Sequence, residues 1–255
     1  MDSVGLVVPA YRPDTERLSR YVRALDAELH PAVVRIELDA PEPGVPDALA
    51  ELPATVNTVP YRRGKGAAIT AGFEALGTDV LAFADADGST PAGSVEDVLA
   101  PLVAGEADLT VGSRRHPEAT VRGHQTRLRR RMGDGFAWLA RRLLDAQLHD
   151  FQCGAKGVTA EAWAASRDHL YEAGFAWDIE LIAITAALGY RITEVPITWE
   201  DAPDSTVSPL ATPLNMAQGL LAARHRARTL QNSPLHTALD RAADERALVD
   251  REYGD

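Results

Sequence analysis

The sequence predicts an α/β fold: a mainly parallel sheet with helices on both faces. Three observations carry this. Short apolar runs alternate with helically spaced segments through the first 112 residues, the pattern of strand–helix–strand units. The runs are apolar throughout, as buried strands are. One of them, Leu81-Ala82-Phe83-Ala84, leads directly into Asp85-Ala86-Asp87-Gly88, which puts two acids at a strand's carboxyl end, where open α/β sheets bind ligands.

Each element has its own signal. Val4 to Pro9 is an apolar run closed by proline, and Thr15 to Leu29 carries Leu18, Tyr21, Val22, Leu25 and Leu29 at helical spacing. Val33 to Leu38 reads as a second strand, followed by a sharp turn through Pro41-Glu42-Pro43-Gly44. Val56 to Val59 is a weaker third strand, and Gly66 to Leu76 is a helix. Val80 to Phe83 is the strand that ends in the acids. Val95 to Val103 is helical, and Leu109 to Gly112 is a strand. Beyond it, the expectations are strands at Ala155–Val158 and Arg191–Thr198, helices at Ala160–Arg167 and Ile179–Leu188, and a charged helical tail from Leu235 to Tyr253, surface-lying or frayed. Residues 1–231 read as one domain, with a ligand-binding half over 1–112, a second half over 113–231, and the tail over 232–255.

Composition narrows the function. Acids outnumber bases 37 to 26, for a net charge of −11, which argues against nucleic acid as a partner. Only Lys65 and Lys156 are lysines; the other bases are arginine. That bias fits a salty cytoplasm or GC-rich coding. Cys153 is alone, which excludes an internal disulfide and a cysteine metal cluster. The first residues show no signal-peptide pattern, and no run reaches the roughly 18 apolar residues of a membrane span, so any membrane contact is expected to be peripheral.

Within this acidic chain, residues 112–142 hold nine arginines against Glu118 and Asp134. Met132, Phe136, Leu139 and Leu143 fall on one helical face, with Arg127, Arg130, Asp134 and Arg141 roughly opposite. This is either a core helix with a solvated face or an interfacial helix resting on anionic lipid. Pro213 to Leu230 repeats the theme, with Met216, Leu220 and Leu221 beside Arg224, Arg226 and Arg228.

Four motifs could carry chemistry. Asp85 and Asp87, with no lysine near them in sequence, suit a hard divalent cation that holds phosphates, or simply an Asp-Gly turn. Arg62-Arg63-Gly64-Lys65-Gly66 opens a helix whose free N–H groups could face a phosphate. Gly112-Ser113-Arg114-Arg115 ends a strand on the same sheet edge, where arginine can pair bidentately with phosphate. Asp178, in Trp177-Asp178-Ile179-Glu180-Leu181, is either a helix N-cap or a carboxylate facing a reaction centre. Cys153 has no neighbouring histidine and reads as a packing residue.

Taken in order, Val8-Pro9-Ala10-Tyr11, Arg63-Gly64-Lys65-Gly66, Asp85-Ala86-Asp87-Gly88, Gly112-Ser113-Arg114, Asp150-Phe151-Gln152-Cys153-Gly154-Ala155-Lys156, Trp177-Asp178-Ile179-Glu180-Leu181 and Glu194-Val195-Pro196-Ile197 resemble the inverting family-2 glycosyltransferases of GT-A fold. The resemblance is to the polyprenyl-phosphate sugar synthases, especially the dolichyl-phosphate β-glucosyltransferase type. It implies a nucleoside-diphosphate sugar held with Mg²⁺ or Mn²⁺ at Asp85 and Asp87, with Asp87 the direct ligand. It implies that Pro9, Ala10, Tyr11, Asp39, Lys65 and Ala86 line the donor site, with Asp39 a candidate base contact. Arg114, Arg130, Arg131 and Lys156 would meet the acceptor phosphate; Asp87, Arg114 and Asp178 would be catalytic. The partners implied are polyprenyl (dolichyl) phosphate and the cytoplasmic face of the cell membrane. The alternatives are a family-2 enzyme with a non-lipid acceptor and a catalytically silent relative. The chain departs from the family pattern after Ile197, where Thr198 to Val207 carries acids and no base.

Overall fold

A computed structural model describes residues 2–122, 127–200, 212–239 and 246–251; the side chains of 127–132, 212–214 and 238–239 are outside this description. The first half alternates as expected: β1 (Val4–Tyr11), α1 (Thr15–Leu29), β2 (Val33–Asp39), α2 (Val45–Leu49), β3 (Thr55–Val59), α3 (Lys65–Glu74), β4 (Val80–Ala84), α4 (Ala92–Val103) and β5 (Leu109–Ser113). Helix α1 starts where the Asp14 side chain caps the Arg17 N–H and stops at His30, whose φ is 45°. It buries Leu18, Tyr21, Val22 and Leu25. The second half adds β6 (Thr120–Arg122), α5 (Arg127–Leu143), β7 (Ala155–Thr159), α6 (Ala160–Ser166), α7 (Trp177–Ala187), β8 (Ile192–Pro196), β9 (Thr198–Glu200), α8 (Thr212–Leu230) and α9 (Pro234–Leu239).

The main sheet runs β3-β2-β1-β4-β7-β5-β8. It is parallel except for β7, which lies antiparallel to both β4 and β5. Its reversed entry pairs Ala155 with Ala84, so the loop before β7 arrives beside the acids after β4. The strand expected over Arg191–Thr198 is two strands. It breaks at Pro196-Ile197, because proline cannot donate to a ladder, and β9 pairs with β6 in a separate two-stranded sheet.

Successive residues of β1 serve opposite cores. Val7 joins Phe73, Phe83, Trp163 and Trp177 on one face, while Leu6 and Val8 join Leu18, Val22, Ile36, Val95 and Val98 on the other. Both faces of the sheet are therefore covered, which is why its central strands are apolar throughout.

Three expectations need correction here. Helix α5 buries Ala137 and Ala140, with Phe136 and Leu143 partly buried against the same core, while Leu139 of the expected face is exposed, so the core face is the expected one turned toward the small residues. Small residues let it pack closely, and pattern reading weights large ones. Helix α8 is no free amphipathic segment. Met216, Leu220, Ala223 and Ala227 are buried, and Gly219 lies so close to Ala176 that an added Cβ would sit 2.3 Å from its Cβ. Its arginines are taken up internally: Arg224 donates to the Leu143 carbonyl at 2.6 Å, Arg226 pairs with buried Glu180, and Arg228 pairs with Asp145 at 2.9 Å. The tail is also anchored. Leu248 is 1% exposed, within the core of Phe73 and Trp163, and its N–H donates to the Leu170 carbonyl at 2.8 Å.

Leu248→Ala should therefore cost about 2–5 kcal/mol, the range for truncating a buried leucine. Urea unfolding of the two proteins measures it, and a difference near zero would return the tail to the surface.

Candidate functional site

The carboxyl ends of β1, β2 and β4 meet at one rim. A cleft of about 390 Å³ opens there, lined by Pro9, Ala10, Tyr11, Asp39, Lys65, Asp85, Ala86 and Asp87. The fold thus gathers all eight residues expected at the donor site around one cavity. It adds Arg12, Arg17 and Phe175, to which the sequence reading gave no role, and Arg62, which opens the glycine motif. Arg62 stacks over the Tyr11 ring at 4.4 Å and Arg12 approaches it at 5.3 Å. Its place in the glycine motif was the one sequence signal for Arg62.

Asp39 lines the cleft and is also tied to the turn before α3. Its carboxylate accepts from the Arg63 N–H at 2.7 Å, Arg63 Nε at 2.7 Å and the Gly64 N–H at 3.2 Å. Arg63 also reaches Glu37 at 2.8 Å. Asp39 is a holder: it ties the turn before α3 to the end of β2. The glycines of that turn are also required by packing. Gly64 has φ of 101°, and a Cβ there would meet the Ala173 carbonyl oxygen at 2.4 Å; one on Gly66 would meet Glu172 O and Trp177 Cβ at 2.5 Å. The Ala67 N–H donates to the Ala173 carbonyl at 3.1 Å. The segment before α7 covers the start of α3.

Lysine reaches the acids through space. Lys65 Nζ lies 2.9 Å from Asp85 and 3.2 Å from Asp178; Lys156 Nζ lies 2.9 Å from the other Asp178 oxygen. The reading that Asp85 and Asp87 stand without a lysine holds along the chain and fails in the fold. Burial by itself would raise the Asp178 carboxyl, but Lys156 and Lys65 outweigh it and hold it below its ordinary value. Burial would likewise lower the Lys65 ammonium, and Asp178 and Asp85 more than reverse it. Asp178 is therefore an anchor whose two lysines favour its charged form. It is not an N-cap, since Ala176 holds that position. Lys156 is 1% exposed and also donates to the Cys153 carbonyl at 2.7 Å, which removes it from any acceptor phosphate. Cys153 is a fully buried packing residue, its thiol pushed up to about 11 by burial.

Arg114 extends from the end of β5 and is gripped by Asp150, Nε at 2.6 Å and Nη2 at 2.9 Å, with its guanidinium 5.9 Å from the Trp199 ring centre. Asp150 is 2% exposed, and the pairing holds its carboxyl well below the usual range against the burial that would raise it. Arg130 and Arg131 belong to a helix whose side chains at those positions are outside the described residues.

Asp87 is the carboxylate of the pair that meets no cation among the described residues. One oxygen accepts from the Ser89 N–H at 2.9 Å. The Ser89 hydroxyl is buried without a hydrogen-bond partner. The Asp85 and Asp87 carboxylates, side by side in the cleft, are hard oxygen donors and fit a small divalent cation. Among the described residues no group of three or more His, Cys, Asp or Glu could hold an ion alone. A cation here would need oxygens from water or phosphate, as Mg²⁺ commonly does.

The sequence profile of Glycosyl transferase family 2 matches residues 36–172. The chain belongs to that family. Among curated proteins it is 31% identical over 160 residues to glycosyltransferase AglD of Haloferax volcanii, covering 63% of this chain and 25% of that protein. It is 33% identical over 177 residues to mouse dolichyl-phosphate beta-glucosyltransferase, covering 67% of this chain and 54% of the relative. It is 33% identical over 140 residues to an undecaprenyl-phosphate mannosyltransferase of Micrococcus luteus, covering 53% and 56%. The chain thus spans a quarter to about half of the length of these relatives. Among solved structures, glucosyl-3-phosphoglycerate synthase from Mycobacterium tuberculosis, in complex with Mn²⁺, UDP-glucose and phosphoglyceric acid, superposes with a TM-score of 0.68 over 88% of this chain and 80% of that one, at 16% identity. Mannosyl-3-phosphoglycerate synthase from Rubrobacter xylanophilus gives 0.67 over 91% and 75%, at 15% identity. The fold is GT-A.

In this family-2 chain, Lys156 has moved from acceptor ligand to structural ion. Lys156→Ala leaves buried Asp178 with a single partner and should cost about 3–5 kcal/mol. Chemical denaturation checks it; a variant as stable as the parent would free Lys156 for a ligand role.

Proposed function

We propose that this protein transfers a hexose from a nucleoside-diphosphate sugar to polyprenyl (dolichyl) phosphate, with inversion, at the cytoplasmic face of the cell membrane. The observation that carries the reading is Asp85-Ala86-Asp87 at the end of β4 in a cleft shared with Pro9 to Tyr11 and Lys65, in a family-2 chain related to polyprenyl-phosphate sugar transferases. Asp87, with Asp85 beside it, would hold Mg²⁺ or Mn²⁺. Such an ion neutralises the charge that develops on a departing diphosphate.

The chain's own side chains then place the reactants. Lys65, fixed between Asp85 and Asp178, presents an ammonium beside the diphosphate. Arg114, fixed by Asp150, offers a rigid planar cation on the acceptor side. A phosphate oxygen is already ionised at neutral pH and needs no base, which agrees with Asp178 being locked in an ion pair. Rate enhancement comes from in-line placement and fixed charge. Attack from the face opposite the leaving diphosphate inverts the anomeric carbon, so an α-linked donor gives a β-linked product.

None of the described helices is long and apolar enough to cross a membrane. Docking is assigned instead to the outer face of α5. Trp138 is 53% exposed there, next to Leu139, and Arg142 lies 5.0 Å from the Trp138 ring centre. An aromatic–aliphatic pair beside arginine suits an anionic lipid interface.

Purified protein given a nucleotide sugar, Mn²⁺ and dolichyl phosphate should form a lipid-linked sugar. Asp87→Ala should lower that turnover by about 10²–10³-fold, the scale of losing one charge-stabilising group, at an unchanged melting temperature. Full activity in Asp87→Ala would remove it from the site. On liposomes containing anionic phospholipid the protein should float, and the exposed double change Trp138→Ser, Leu139→Ser should leave it in solution. A parent protein that never floats favours a non-lipid acceptor.

A further inference from the structure

Four side chains form a row of alternating charge from the core to the cleft: Lys156, Asp178, Lys65 and Asp85, at successive contacts of 2.9, 3.2 and 2.9 Å. Two lysines offset two aspartates, so the row is neutral. It is also rigid. The side chains of Lys156 and Asp178 are 1% and 3% exposed. Lys65 is 11% exposed, and its Nζ sits 5.0 Å from the Phe83 ring centre, which also has Lys156 Nζ at 5.6 Å. The backbone at Lys65 is clamped by the close approach of Gly64 to Ala173 and of Gly66 to Trp177.

The row leaves Asp87 as the single uncompensated carboxylate of the acidic pair. A divalent ion entering the cleft alone would share Asp85 with an ammonium already 2.9 Å from it, and like charges at that range repel. Its remaining carboxylate would be Asp87, fewer protein donors than a hard cation requires. A diphosphate changes both terms. It brings anionic oxygens to the ion, and it offsets the ammonium.

We propose that Lys65 is a built-in counter-cation that bars free divalent ions from the acidic pair, so that metal and nucleoside diphosphate bind only as a pair. This rests on the reading that a nucleoside diphosphate is the ligand of the cleft. By linkage, the metal tightens the nucleotide by the same factor by which the nucleotide tightens the metal.

Electron paramagnetic resonance of Mn²⁺ tests this without turnover, since the free ion gives the signal and binding removes it. Full-length protein with Mn²⁺ alone should leave the signal close to that of buffer. Adding UDP or GDP should deplete it beyond a protein-free control holding the same nucleotide. Lys65→Met should bind Mn²⁺ without nucleotide at least about tenfold more tightly than the parent, a coupling of ordinary size. Lys65→Gln, neutral but able to hydrogen-bond Asp178, serves if the methionine variant does not fold. The inference is overturned if the parent takes up Mn²⁺ equally well with and without nucleotide, or if a folded neutral variant gains no affinity for Mn²⁺ alone. Thermal shifts separate the two levels. Nucleotide that binds with no help from Mn²⁺ sinks the pairing and leaves the cleft a nucleotide site; no binding of either nucleotide, with or without Mn²⁺, sinks both.

Discussion

Asp178 sits 2% exposed at the start of α7 with a lysine on each oxygen. A lone carboxylate at that depth would be untenable. Lys156 comes from β7, the strand inserted antiparallel in the sheet, and Lys65 from the first residue of α3. One anion therefore fastens three elements from distant parts of the chain, and the same contact sets where the Lys65 ammonium stands in the cleft. Replacing such a network with apolar groups can be neutral for stability, whereas removing one member is not. What the network provides is position.

The same logic recurs around the rim. Asp39 fixes Arg63, Asp150 fixes Arg114, and Glu180 fixes Arg226. In each case a buried acid holds a cation in one orientation, so these three arginines are set in place before any ligand arrives. Asp87 differs from Asp39 and Asp85 in the cleft: no cation pairs with it among the described residues. Oxygen left unpaired inside a structure that otherwise pairs its charges marks where a ligand belongs. The chain's membership of Glycosyl transferase family 2 agrees with that placement.

Much of the first half was legible along the chain. Helix α1 falls on its expected bounds, and β2 and β4 each exceed theirs by one residue, because periodicity, an Asp14 cap and apolar runs are local signals. The acids after β4 were legible too, since a strand's carboxyl end follows from the strand. The antiparallel β7 was not. Its five residues, Ala155 to Thr159, look the same in either direction. The buried face of α5 was legible only in part, because Ala137 and Ala140 carry little hydrophobic weight beside Phe136, Leu139 and Leu143.

The resemblance to family-2 glycosyltransferases supplied the set of residues gathered at one rim; the sequence by itself determined the α/β class and the strand that delivers Asp85 and Asp87. These follow from composition and order over a few residues at a time. The tertiary structure decided which of those residues are free to act. Lys65 lies 20 positions from Asp85 and Lys156 lies 22 from Asp178, yet each pair is in contact. Ion pairs of this kind depend on distances across the sheet. Nothing in the local pattern of the chain specifies them.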